Sequence, residues 1–206
     1  MKDKALVIFD MDGTLVNSSL TIANAINHVR KHLGLPPMEP EEILKKVNDH
    51  TIDPARTFYN ARRFEPLHEK LFTEYYTENH GKELVLYDGV KSLLDALKSE
   101  GKALGLATNA YRNSTMESLK HLDIHDHFDA VACYDDVPQG KPEPDMLYKV
   151  LDEVSMPKEH AIFIGDGPRD QLAAQKAGMD YMMVDWGFSE HQNAIKSVDQ
   201  LKQTLL

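Results

Sequence analysis

Leu6-Val7-Ile8-Phe9-Asp10-Met11-Asp12-Gly13-Thr14 is the stretch whose reading decides the fold. Four consecutive apolar residues mark a strand buried on both faces, as in a parallel sheet, although a turn of buried helix has the same hydropathy. Two aspartates follow at once. Gly13 lets the backbone turn sharply as it leaves the strand, so both carboxylates are expected at the strand's carboxyl end, where open α/β sheets bind ligands. Two carboxylates so close resist ionising together: one is readily kept protonated as an acid while the other stays anionic as a nucleophile or metal ligand. That division of labour suits phosphoryl transfer. The bland alternative is a capped strand-to-turn junction with solvated acids.

Beyond Thr14 the pattern becomes helical. Ser18 or Ser19 can cap a helix whose apolar positions Ile22, Ile26, Val29 and Leu33 recur every three or four residues, up to Gly34. Pro36, Pro37 and Pro40 then break the chain. A short helix is predicted over 40–47, a loop of turn-forming residues from Asn48 to Pro54, and helices near 54–63 and 66–79. No strand is predicted between about residues 15 and 85. Gly81 and Tyr87-Asp88-Gly89 mark the end of this helical stretch.

From there strands and helices alternate. Val90, Leu93, Leu94 and Leu97 give one apolar face to a helix ending at Gly101, and Ala103–Ala107 is a second apolar strand. Helix 113–121, strand 129–133, helix 143–154, strand 161–165, helix 169–177 and strand 181–184 follow, with a last surface helix in 190–206. Such alternation predicts an α/β fold: a Rossmann-like, three-layer parallel sheet of about five strands, joined by right-handed crossovers. The expected division is a core of residues 1–14 and 86–206 carrying a helical cap of residues 15–85.

The 206 residues fit one domain with an insertion. Thirty-three acidic against 23 basic residues give a net charge of -10, which opposes non-specific binding to nucleic acid or anionic membrane. Any phosphate must therefore be held by local groups. Cys133 is the only cysteine, so no intramolecular disulfide forms, and its apolar neighbours suggest inert core. The chain enters its first strand within a few residues and contains no apolar run near ~18 residues, so a cytoplasmic enzyme is expected.

Three more polar clusters fall at predicted strand ends or in the adjoining loops. Thr108 and Asn109 offer a hydroxyl and an amide that can donate to phosphoryl oxygens without neutralising the acids, or cap the next helix. Lys141, set between Gly140 and Pro142 in a stiff loop, can aim its ammonium at charge building on a transferring group. In Gly165-Asp166-Gly167-Pro168-Arg169-Asp170 the two aspartates lie about one helical turn apart. Hard oxygen ligands of this kind select magnesium, while helix capping is the alternative use.

These four clusters, in this order, resemble the motifs of the haloacid dehalogenase-like (HAD) hydrolases, mostly phosphatases with an aspartyl-phosphate intermediate. The resemblance spans essentially the whole chain, and the helical insert is similar to the cap of the subclass holding phosphoglycolate phosphatases and β-phosphoglucomutases. It implies Asp10 as nucleophile, Asp12 as acid for the leaving group and then base for water, Thr108 and Asn109 as phosphoryl binders, and Lys141 as charge stabiliser. Magnesium would be held by Asp10, the backbone carbonyl of Asp12 and Asp166, with Asp170 either supporting the metal through water or orienting Lys141. Gly167 departs from the Ser or Thr that many relatives carry there.

The expected substrate is a small phosphorylated metabolite, phosphoglycolate first. A β-phosphoglucomutase-like phosphomutase, a pyrophosphatase or nucleotidase, and a catalytically idle binding protein are the alternatives; monomer and homodimer are both open. Asn48 and His50 occupy the place of the family's cap specificity loop, and Arg56, Arg62 and Arg63 are candidates to clamp a substrate anion, though such arginines more often solvate a helix face. His121, His125 and His127 lack strong zinc spacing and are read as structural. Met179, Met182 and Met183 read as core, and Trp186 as a rim residue.

Overall fold

A computed structural model describes residues 1–47, 52–187 and 193–206. Its sheet contains β1 (Leu6–Phe9), β4 (Ala103–Ala107), β5 (Ala130–Ala132), β6 (Ala161–Gly165) and β7 (Asp180–Met183), in the order β5-β4-β1-β6-β7. Every neighbouring pair is parallel, in the registers Phe9 to Leu106 and Phe9 to Ile164 on either side of the first strand. All four residues of β1 are fully buried, as expected for a central strand covered on both faces. Because β1 lies between β4 and β6, the residues after Phe9, Ala107 and Gly165 emerge side by side.

Helices α5 (Val90–Ser99), α6 (Arg112–His121), α7 (Asp145–Glu153), α8 (Pro168–Ala177) and α9 (Val198–Leu205) complete this unit. On one face Leu6, Ile8 and Phe163 pack with Met146, Leu147 and Val150 of α7 and Ala173 and Ala174 of α8. Two short strands escape the sequence reading. β2 (Val16–Asn17) pairs antiparallel with β3 (Val85–Leu86), and two residues each are too few to show a period.

The chain forms two compact units, residues 1–17 with 85–206 and residues 18–84. The second is helical among its described residues: α1 (Ser19–His32), α2 (Pro40–Val47), α3 (Pro54–Tyr59) and α4 (Pro66–Glu83). Ala23, Ile26, Val29, Ile43, Phe58, Tyr59 and Leu71 form its core. Asp53 caps α3 by accepting from the Arg56 backbone N–H at 3.2 Å. Helix α4 runs on through Gly81 to Glu83, past the predicted end at residue 79. Asn24 Nδ2 and the Tyr75 hydroxyl both donate to Glu83 Oε1 at 2.9 Å, which ties its last turn to α1 and outweighs the glycine's preference for a break. Among the described residues, no helix is long and apolar enough to cross a membrane.

Candidate active site

The site grows from the turn after β1. Asp10 is buried and its N–H donates to the Ile164 carbonyl at 2.9 Å, so its main chain continues the sheet. The chain then winds tightly: the N–H groups of Thr14, Leu15 and Val16 all point at the Met11 carbonyl, at 3.3, 2.9 and 2.9 Å. Gly13 has φ +82°, and a Cβ there would stand 2.2 Å from Asp166 Oδ2. Only glycine lets the Asp166 carboxylate lie against this turn. The Thr14 hydroxyl donates to Asp166 Oδ1 at 3.3 Å, and the Trp186 indole N–H holds the Thr14 carbonyl at 2.9 Å.

Lys141 reaches the same place from the loop after β5. Its ammonium is buried, 2.5 Å from Asp10 Oδ1, 2.6 Å from Asp170 Oδ1 and 5.4 Å from the centre of the Phe163 ring. The Lys141–Pro142 peptide bond is cis. Asn109 clasps the backbone of Lys141 in both directions: Lys141 N–H donates to Asn109 Oδ1 at 2.9 Å and Asn109 Nδ2 donates to the Lys141 carbonyl at 3.0 Å. Thr108 is buried, and its hydroxyl oxygen accepts the Ala110 N–H at 3.1 Å while keeping its own proton to donate. Helix α6 takes Tyr111, not Thr108, as its N-cap residue.

Asp170 is buried at the start of α8, and its Oδ2 accepts the Gly167 N–H at 3.1 Å. Gly167, not Asp166, is the N-cap residue, so Asp166 is left to face the site. A Cβ on Gly165 would meet the Asp170 carboxyl at 2.6 Å, which explains why β6 ends in glycine.

The electrostatics follow from burial. Carboxyl oxygens of Asp10, Asp166 and Asp170 lie within 4.8 Å of one another, with Lys141 as the cation between Asp10 and Asp170. Burial works against the Lys141 charge, but Asp10 and Asp170 outweigh it and raise its pKa. Burial first, then Asp170, pushes the Asp166 carboxyl up to about 6, from the ordinary 3.8. Burial likewise raises Asp10 well above the usual range, with Lys141 opposing and Asp170 and Asp166 adding. If all three carboxyls ionise, one ammonium leaves two negative charges unmatched, a donor set that fits a hard divalent cation.

Of the residues singled out in the sequence, the structure brings together Asp10, Asp166, Asp170 and Lys141 directly, with Asn109 acting on Lys141 and Thr108 at the end of the neighbouring strand. Asp12 sits in the turn beside them, half-buried. Arg56, Arg62, Arg63 and Arg169 are exposed. Asn48 and His50 lie outside the described residues. His127 bonds Asp95 at 2.8 Å and His125 bonds Asp126 at 2.7 Å, and the aspartate trio is the one candidate metal cluster among the described residues.

Two tyrosines at the site carry no sequence signal. Burial raises the Tyr87 phenol, with Asp166 and Asp12 pushing the same way, so its hydroxyl belongs to the acid-rich side. Its ring centre lies 6.0 Å from that of Trp186. Tyr181 donates to the Gly165 carbonyl at 2.9 Å and braces the turn that carries Asp166. An aromatic at a domain junction or in a strand reads as packing; only its acidic neighbours in space reveal more.

The sequence profile described as haloacid dehalogenase-like hydrolase matches residues 7–184. A phosphoglycolate phosphatase of Chromobacterium violaceum is 31% identical over 197 residues, covering 92% of this chain and 89% of that one. A relative in Caldanaerobacter subterraneus that bears a pyrophosphatase name is 30% identical over 181 residues, covering 87% and 81%. Among solved structures, a haloacid dehalogenase-like family hydrolase of Streptococcus pneumoniae superposes with a TM-score of 0.73 at 27% identity, covering 94% and 90%.

Proposed function

The chain belongs to the haloacid dehalogenase-like hydrolases, and on that premise we propose a magnesium-dependent phosphatase that moves the phosphoryl group of a small metabolite onto Asp10 and then onto water. The observation that carries the reading is the buried Asp10–Lys141–Asp170 triad with Asp166 against the Asp12–Gly13 turn. A binding protein has no need to bury a nucleophile beside its own counter-charge.

Asp10 attacks phosphorus in line, and the P–O bond to the leaving alcohol breaks as that oxygen takes a proton from Asp12. Asp12, now ionised, draws the proton from a water that attacks the aspartyl phosphate, which releases inorganic phosphate, frees the Asp10 carboxylate and leaves Asp12 protonated for the next turnover. The Thr108 hydroxyl donates to a phosphoryl oxygen, and Lys141 offsets the charge that builds on the transferring group. Asn109 holds Lys141 in place through its backbone. Asp10, Asp166 and the backbone carbonyl of Asp12 would hold magnesium, which neutralises phosphoryl charge when bound. Asp170 serves by orienting Lys141.

Phosphoglycolate is the first substrate to test, supported by the name of the Chromobacterium violaceum relative. Pyrophosphate is the second, supported by the relative with the pyrophosphatase name. Substrate choice we assign to the helical unit, and the compartment to the cytoplasm. The test is phosphate release from phosphoglycolate, pyrophosphate, sugar phosphates and nucleotides, with magnesium or EDTA. Asp10→Asn is expected to lose roughly 10⁴-fold or more in turnover. Equal phosphate release by wild type and Asp10→Asn would sink the reading.

A further inference from the structure

Independently of the chemistry at Asp10, the helical unit contains a cavity of about 370 Å³ whose described lining lies wholly within residues 22–73. That size falls in the range of small-molecule sites. Ile22, Ile26, Phe58 and Phe72 supply apolar walls, and Phe64 at its edge is 47% exposed. Predominantly apolar walls with a few polar groups are the usual make-up of small-molecule clefts.

Two buried polar side chains distinguish this cavity from a packing defect. Tyr59 is 6% exposed, and its hydroxyl hydrogen-bonds to no described residue but stays open to solvent. Water can reach this hydroxyl, and a ligand atom in the cavity would take that water's place. His68 is 3% exposed; its Nδ1 accepts the Glu65 N–H at 3.3 Å, which in the neutral ring places the proton on Nε2, a second donor. The described lining contains no lysine or arginine, and its one acid is Glu69.

From this we infer that the helical unit binds a small uncharged or cationic organic molecule with an aromatic or branched apolar body and a hydrogen-bonding group. A carboxylate is disfavoured, because no cation lines the cavity and Glu69 would repel it. Such a body could arrive as a free ligand or as the organic part of a phosphoester.

The test is isoleucine-methyl NMR on the full chain, titrated with benzyl alcohol, benzylammonium and benzoate, in wild type and in Asp10→Asn so that the readout does not depend on catalysis. Saturable shifts of the Ile22 and Ile26 methyls are expected with the first two probes, and at least roughly tenfold weaker binding of benzoate. Tyr59→Phe should weaken benzyl alcohol roughly threefold to tenfold, and Ile22→Trp should abolish binding by filling the space; Thr73→Trp replaces it if the spectrum shows Ile22→Trp unfolded. Turnover of benzyl phosphate and phosphoglycolate then separates the sources. A preference for benzyl phosphate that the filling variant removes assigns the cavity to substrate, and unchanged kinetics alongside lost binding assign it to a free ligand. No saturable shift up to the solubility limit of benzyl alcohol, equal binding of benzoate, or retained binding by a folded filling variant would overturn the inference.

Discussion

The two units bury charge in opposite ways. In the sheet unit Lys141 is sealed among carboxylates, with Asp10 and Asp170 at 2.5 and 2.6 Å. In the helical unit Arg30 is almost as buried, yet it donates to backbone carbonyls: Nε to Pro36 at 2.8 Å and one terminal nitrogen to Phe58 at 2.5 Å. The first arrangement gathers more charge than it can neutralise; the second uses a cation as a brace between the end of α1, the proline-rich loop and the end of α3. Excess buried charge is the mark of a place built to receive a charged ligand, whereas a buried cation answered by carbonyls only holds shape.

The strongest attempt to break this contrast is Lys141→Met. Removing the cation between the buried carboxylates of Asp10 and Asp170, with half-buried Asp166 beside them, should cost about 3–5 kcal/mol in the metal-free protein and roughly 10³-fold in turnover, read by denaturant melts and phosphate release. If stability is unchanged, the ion cluster is not what holds the strand ends together. Arg30→Met strands two carbonyls, and a loss of about 2 kcal/mol is expected, with hydrogen exchange rising first in residues 18–84; a loss spread evenly over both units would blur the distinction.

A subtler effect comes from Asp166. Its folded pKa of about 6 lies above the ordinary 3.8, so the folded metal-free chain holds a proton that the unfolded chain has released between those values. Its contribution to stability therefore falls as pH rises through that window, and the cost of ionisation stands in full above it. At Asp166 a divalent cation meets a proton competitor at about pH 5 and none above about pH 7, so magnesium should raise the melting point more at the higher pH, by roughly 1 kcal/mol in stability. An equal shift at both values would separate Asp166 from metal binding. Smallest of all, Trp186→Phe removes one neutral hydrogen bond to the Thr14 carbonyl and should cost about 1 kcal/mol; thermal melts in EDTA measure it.

The same contrast explains what could be read from the chain. The sheet unit was legible because a doubly buried strand demands an unbroken apolar run, and its functional groups follow those runs: Asp10 after Phe9, Thr108 after Ala107, Asp166 after Gly165. Strands β5 and β7 differ from the reading by one residue at each end. The partner of Asn109 was not legible, since its amide turns to the Lys141 backbone 32 residues away. Tyr87 and Tyr181 were hidden for the same reason. In the helical unit, periodicity announced the helices, but the extent of α4 was settled by Glu83 meeting Asn24 across the bundle and Tyr75 two turns back, and the cavity by which side chains fail to meet.

The amide clasp of Asn109 also bears on how this scaffold can change. Because the peptide groups of Lys141 hang from the strand next door through two bonds, the ammonium takes its address from β4 and not from the chain leading to it. The exposed Pro138 and Gln139 at the tip of the loop after β5 are thereby relieved of a steering duty, while Asp135 and Asp136 before them stay tied to Arg112. That tip is where length and sequence can change while the centre keeps its geometry.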